Sequence, residues 1–244
     1  NMNAIGEQLV NSNNNIIKDF VYIRSSENAK GNELINSKNN QISFSNTPII
    51  ANNTAYYIIT RGNKTLNKNN TFDGPYSQSI TLTANKSIGV FLENATDTYI
   101  TSTGTIIRYN IIGNYVRGIL TKNTENIKIF YVTFNLAKPE NTTEQIDHIA
   151  IEQINSENTN ISAVIMENNT QSVSNIYFNL EDIKYNYEGN FLKLLNTTNT
   201  SVKPTEDVSN TTIDIKDIAI IMENSNNNII DNVSITTQTD YVMN

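Results

Sequence analysis

One phrase recurs along the chain: a short apolar strand, a polar residue, an asparagine, a few small polar residues, then another apolar strand. Val90-Phe91-Leu92-Glu93-Asn94, Val164-Ile165-Met166-Glu167-Asn168 and Ile220-Ile221-Met222-Glu223-Asn224 are its clearest copies. Gly118-Ile119-Leu120-Thr121-Lys122-Asn123, Phe191-Leu192-Lys193-Leu194-Leu195-Asn196, Gln8-Leu9-Val10-Asn11 and Glu33-Leu34-Ile35-Asn36 are looser ones. The step from Asn168 to Asn196 to Asn224 is about 28 residues. A unit so short cannot bury its own apolar face and needs neighbours stacked above and below it. The repeat therefore predicts one all-β solenoid domain over residues 1–244, with irregular rungs of about 20–30 residues.

Asparagine makes up roughly a sixth to a fifth of the chain and isoleucine is the chief apolar residue. Asparagine is a poor interior helix former and isoleucine favours strands, which argues against a helical bundle. A disordered asparagine-rich tract would dilute its apolar residues, whereas here they recur in ordered groups. A sandwich of hairpins would show Asn-Gly or Asp-Gly turns, and Asp73-Gly74 is the one such dipeptide. Segments such as Ile127–Phe134 and Ile213-Asp214-Ile215 alternate as strands with one buried face do. Asparagine tolerates left-handed backbone, and its amide can bond to the asparagine of the next rung. Asn94, Asn123, Asn168, Asn196 and Asn224 are accordingly expected to form a stacked structural ladder with partly buried amides, and the nearby Asn199 to be an exposed, tolerant position. Polar stretches at 51–71, 137–145 and 197–210 interrupt the period and are expected to be projecting loops.

From about Ile5 to Ile235 this phrase resembles the pectate-lyase-like, right-handed parallel β-helix repeat of archaeal adhesin-like surface proteins, best known from gut methanogens. The resemblance implies a right-handed parallel β-helix in an extracellular protein, displayed on the cell surface or associated with the wall. It also implies adhesion, with cell-surface glycans or the surface proteins of other cells as partners. The alternatives are a carbohydrate-active enzyme of the same fold and a passive spacer in the cell envelope.

The net charge of -7 and the few arginines argue against nucleic acid as a partner. Without cysteine there is neither a disulfide framework nor a thiolate metal site. No apolar run is long enough to span a bilayer, and the start, Asn1-Met2-Asn3, reads as that of a piece cut from a longer surface protein. Glycoside cleavage generally needs two placed carboxylates. The hydrolase strings Gly-His-Gly and Arg-x-Lys are missing, and Asp73, Asp97, Asp147, Asp214 and Asp231 stand in unlike positions, so no catalytic residue, metal ligand or cofactor is assigned. The adjacent acidic residues Glu181-Asp182 would point to opposite faces of a strand.

His148, the single histidine, aligns with Asp217 when Ile146–Ile151 is laid on Ile215–Ile220, which predicts an outward polar position. Replacing it with alanine is then expected to leave folding intact. Glu93, Glu167 and Glu223 suggest a calcium column, but Lys122 and Leu195 dilute it, and calcium needs six to eight converging oxygens. Asn52, Asn63, Asn85, Asn141, Asn160 and Asn232 are glycosylation candidates by their Asn-x-Ser/Thr context, with Asn94, Asn168 and Asn196 less available if the ladder buries them. Tyr185 and Tyr187, two apart on one strand face, are the candidate contact patch.

Overall fold

The computed structural model describes residues 3–18, 22–43, 48–74, 79–102, 107–139, 143–144, 147–166, 190–195, 198–199, 201–203, 211–215, 220–230 and 233–237, and every regular element among them is a strand. The first coil holds β1 (Asn3–Val10), β2 (Ile16–Lys18) and β3 (Ile23–Arg24); the second holds β4 (Asn28–Ile35), β5 (Gln41–Ser43) and β6 (Ile49–Ile50). The third holds β7 (Thr54–Arg61), β8 (Thr71–Gly74) and β9 (Ser79–Thr83); the fourth holds β10 (Lys86–Glu93), β11 (Tyr99–Ser102) and β12 (Ile107–Ile112). Two coils of paired strands follow, β13 (Tyr115–Lys122) with β14 (Lys128–Ala137) and β15 (Asp147–Ile154) with β16 (Asn160–Met166). The last strands are β17 (Asn190–Leu195), β18 (Ser201–Lys203), β19 (Thr211–Ile215), β20 (Ile220–Glu223), β21 (Ile229–Ile230) and β22 (Val233–Thr237).

The long strands pair in the order β1-β4-β7-β10-β13-β15-β17-β20, one from each successive coil, and all are parallel. The short strands form a twelve-stranded sheet, and β19 pairs β22 in a third. The protein is thus a parallel β-solenoid. In the fifth coil β14 serves two faces, pairing β11 through its first half and β12 through its second. The burial pattern of β14 records this, because Ile129 and Val132 are both inside although three residues apart. Corresponding corners are separated by 25 residues between Asn14 and Asn39 and by 41 between Asn158 and Asn199, beyond the expected 20–30, and the step from Asn199 to Asn227 returns to 28.

The core is a set of columns running along the solenoid. Ile42, Phe72, Ile100, Ile129 and Ile161 stack in register, each no more than 1% exposed. Ile80, Tyr109 and Phe134 form a neighbouring column, with the Tyr109 and Phe134 rings 5.4 Å apart. Stacking at the roughly 4.8 Å strand spacing lets each side chain cover the one beneath it, the burial a single coil cannot achieve.

Two expectations of the repeat register are corrected. The phrase ending at Asn168 is out of phase: Val164–Met166 lie in β16, which pairs β14 in the twelve-stranded sheet, not with the long strands. The long strand of that coil is β15. The stretch 51–71 is not a single loop, because Thr54–Arg61 is β7, a central strand of the long sheet. The extra residues there are confined to the corner after Arg61, where Asn63 Oδ1 accepts from the N–H and hydroxyl of Thr65. Of 197–210, residues 201–203 are likewise a strand, β18, and 204–210 lie outside the described residues.

Candidate functional site

Among the described residues, β1, β4, β10, β13, β15 and β20 each lead into a five-residue corner with left-handed residues at its first and fourth positions, and the longer corner after β7 and the part described after β17 keep the second of them. The first are Asn11, Asn36, Asn94, Asn123, Asn155 and Asn224; the fourth are Asn14, Asn39, Asn69, Asp97, Asn126, Asn158, Asn199 and Asn227, all with φ between 49° and 61°. Asparagine is there because a side chain in this backbone region is otherwise costly. Asn123 donates to Asn94 at 3.3 Å and Asn155 to Asn123 at 3.2 Å, so Asn155 fills the place expected for Asn168. Asn224 shares the conformation, while Asn168 and Asn196 lie outside the described residues. Asn199 is not a neutral neighbour: it is left-handed and donates to Asn158 at 3.1 Å.

The most buried amides are one position further on. Asn15 donates to Asn40 at 3.0 Å and Asn40 to Asn70 at 3.1 Å, with Asn40 and Asn70 inside the solenoid. The doublets Asn39-Asn40 and Asn69-Asn70 were the sequence signal for this inner ladder. Replacing Asn123 with Leu is expected to cost about 1–3 kcal/mol, since it combines unfavourable left-handed backbone with the loss of two ladder bonds. Asn123→Gly, which keeps the backbone, should lose less; equal urea midpoints for all three proteins would remove the ladder's role.

The outward face of the long sheet carries the chemistry. Along it the strand pairing skips one residue in each of β1, β4, β7, β10, β13 and β15, at Gly6, Gly31, Tyr57, Gly89, Gly118 and Ala150, so each of these strands pairs in two segments. A Cβ on Gly89 would collide with the Gly118 carbonyl, and one on Gly118 with the Phe134 ring and the Ala150 carbonyl, which explains the glycines there. Outward residues three apart, on either side of the skip, face each other: Lys30 Nζ meets Glu33 Oε1 at 2.6 Å. Ile59, Ile88, Leu120 and Ile149 are thereby buried on the outer face, apart from the main core.

Two ion-pair groups end this strip. Glu33, with its side chain fully buried, accepts from Lys30, from Arg61 at 2.7 Å and from Gln8 at 2.6 Å. Arg117, its side chain 4% exposed, binds Glu152 and Asp147, donates to the Val116 and Asp147 carbonyls at 2.9 Å and lies 4.0 Å over the Tyr115 ring. Lys86 approaches the other side of this cluster, 4.8 Å from the Tyr115 ring, and Tyr56 stacks on Phe91 at 6.2 Å. Tyr56, Phe91 and Tyr115, on three successive strands, are partly exposed.

Burial pushes the Glu33 carboxyl upward, but the hydrogen bonds from Lys30 and Gln8 and the charges of Lys30 and Arg61 outweigh it, holding the pKa below the ordinary 4.5. A depressed folded-state pKa means stability that is present above the unfolded value and is lost as pH falls through the folded one. The melting temperature is therefore expected to drop on acidification below 4.5. Glu33→Gln should melt lower at neutral pH and show a shallower acid limb; parallel acid limbs would place the titration elsewhere.

His148 is a correction. It is buried, its Nε2 lies 2.7 Å from the Gly113 carbonyl, and its register partner is the core residue Val116. The outward residue is its neighbour Asp147, because the alternation of β15 turns His148 inward. His148→Ala is consequently expected to destabilise by about 1–3 kcal/mol through a lost hydrogen bond and a cavity; an unchanged urea midpoint would contradict this.

Glu93 faces Lys122 at 3.5 Å, and register continues that column through Ile154 and Leu195 to Glu223, so its acids are not gathered. Glu167, Tyr185 and Tyr187 lie outside the described residues, as do Asn141 and Asn232. Asn52, Asn63, Asn85 and Asn160 are exposed, although the Asn85 amide oxygen accepts from Asn114 at 2.9 Å. Among the described residues no group of three His, Asp or Glu side chains could hold a metal ion, and no helix is long and apolar enough to cross a membrane. In comparisons with protein-family models, curated proteins and solved structures, the chain matches none of them.

Proposed function

We propose that the chain is a non-enzymatic, extracellular surface module of the adhesin-like kind, which binds an extended glycan along the outward face of its long sheet. The reading is carried by the row of partly exposed rings Tyr56, Phe91 and Tyr115 on adjacent strands, flanked by Lys86 and Arg117. Rings supply flat apolar faces for sugar rings, and Lys86 beside them supplies donors for hydroxyl or carboxylate groups, while the buried Arg117 holds the Tyr115 ring in place. The charges on this face are committed to each other: Arg117 is held by Glu152 and Asp147, and Glu33 by three donors. Such an arrangement supports a rigid recognition surface better than acid-base chemistry, which needs a carboxyl group poised to exchange a proton.

The test is a glycan-array and whole-cell binding screen with the purified chain, followed by titration of any ligand found. Tyr56→Ala and Tyr115→Ala are each expected to weaken binding by tenfold or so, about 1.4 kcal/mol, without changing the far-ultraviolet spectrum. Time-dependent shortening of a bound polysaccharide would turn the assignment to an enzyme. Absence of binding to every glycan and cell would leave the envelope-spacer reading in its place.

A further inference from the structure

Among the described residues, Asn-x-Ser/Thr triplets begin at Asn52, Asn63, Asn69, Asn85, Asn94, Asn160 and Asn199. As strings they are equivalent, and the stacking of coils makes them unlike. A folded acceptor of an N-linked glycan has to offer an exposed carboxamide nitrogen, a hydroxyl two residues on beside it, and main chain that a transferase can close around.

Three of the asparagines have already committed the nitrogen. Asn69 Nδ2 donates to Asn39 at 3.2 Å, Asn94 Nδ2 to the Gly62 carbonyl at 2.9 Å and Asn199 Nδ2 to Asn158 at 3.1 Å. At Asn85 the hydroxyl is out of reach, because Ser87 is buried and its Oγ donates to the Ile112 carbonyl at 2.8 Å. Asn52 and Asn160 fail on main chain. The N–H groups of Asn53 and Thr54 both donate to the Glu27 carbonyl, and the Asn52 carbonyl accepts from the Asn85 N–H, so that triplet is pinned to the coils on either side. Asn160 to Ser162 belong to β16 and pair with β14 on one side and β18 on the other.

Asn63 meets all three conditions. It stands among the extra residues of the corner after Arg61, and Asn63 to Leu66 form a turn outside the strand and bridge pairing. That turn is closed on itself, with the N–H groups of Leu66 and Asn67 donating to the Asn63 carbonyl at 3.0 and 2.9 Å, while the Asn63 N–H is held by the Asn36 side chain at 2.7 Å. The Thr65 N–H and hydroxyl both donate to Asn63 Oδ1, at 2.9 and 2.8 Å, which sets the hydroxyl of the triplet against the carboxamide. Both residues are exposed, and Asn63 Nδ2 has no partner among the described residues.

We propose that Asn63 is an N-glycosylation site of the folded chain, presented in preference to the other triplets above. In the transfer, Asn63 Nδ2 forms a bond to the anomeric carbon of an oligosaccharide carried on a polyprenyl diphosphate. The bond from that carbon to the diphosphate oxygen breaks, the amide gives up one proton, and the lipid diphosphate leaves. The inference rests on the extracellular reading only for the compartment in which such a donor is met; the choice of Asn63 rests on the fold.

The test uses a purified oligosaccharyltransferase that modifies short peptides spanning Asn52, Asn63, Asn85, Asn94 and Asn160, so that each triplet is known to be acceptable without the fold. The folded 244-residue chain is then given the enzyme and a lipid-linked oligosaccharide, and occupancy at each site is followed by mass spectrometry of its peptides. Transfer at Asn63 is expected to be faster than at any of the other four by about tenfold or more. Circular dichroism before and after shows that the chain stays folded. A folded chain left unmodified at Asn63 overturns the proposal, and so does one in which another of the four is modified as fast. Modification of Asn63 by the purified enzyme, together with its absence from the chain isolated from its own cells, supports the acceptor geometry and counts against the extracellular reading instead.

Discussion

Arg117→Met is expected to cost about 3–5 kcal/mol of folding stability, because it strips the countercharge from a buried carboxylate. Glu152 has a side chain only 6% exposed and would be left unpaired; Asp147, at 50%, stays hydrated and contributes little. The Val116 and Asp147 carbonyls would lose their donor as well. The same argument predicts a rescue. In Arg117→Met/Glu152→Leu no buried charge remains, the apolar neighbours Ile88, Leu120 and Ile149 are at hand, and most of the loss should return. Urea unfolding of the three proteins reads this directly. A single substitution costing under about 1 kcal/mol, or a double variant as unstable as the single, would show that the pair is not held out of water as the structure has it.

Phe134→Ala is expected to be of similar size, about 3–5 kcal/mol. The ring is fully buried, stacks on Tyr109 and occupies the space that the missing Gly118 side chain leaves. A solenoid core is a single file of such columns, so a void in one coil can be filled only by its neighbours above and below. The structure also predicts a coupling. A Cβ at Gly118 meets both the Phe134 ring and the Ala150 carbonyl, and only the first obstacle disappears in Phe134→Ala. Gly118→Ala should therefore cost less in the Phe134→Ala background than in the wild type, and strictly additive costs in urea would sink the packing argument.

Much of the architecture was legible in the residues because a solenoid is built from local repetition. Leu9, Leu34, Leu92 and Leu194 share one column with Thr60, Thr121 and Gln153 since the same strand is made again in each coil, and asparagines recur at the corners because the corner needs left-handed backbone. Those requirements are met within a few residues of chain. The second left-handed asparagine of each corner was equally local, and was hidden only by the abundance of asparagine around it. The phase of the copy ending at Asn168 was not local. An apolar run followed by Glu-Asn suits a long strand or a short one, and only the pairing of β16 with β14 distinguishes them.

The chain by itself thus determined that parallel coils stack, that strands alternate with asparagine corners and that coil length is irregular, since each follows from periodicity and backbone preference. The tertiary structure alone decided which polar groups meet. His148 and Asp147 are adjacent in sequence, yet one lies against the Gly113 carbonyl inside and the other holds Arg117 outside. Arg117 and Glu152 are 35 residues apart, and nothing in either stretch marks them as partners. They meet because the pairing skips a residue at the glycine column, which turns outward side chains three apart toward each other, and because stacking brings adjacent coils within reach. Both conditions belong to the assembled sheet, where a difference of one residue in register would have separated every such pair.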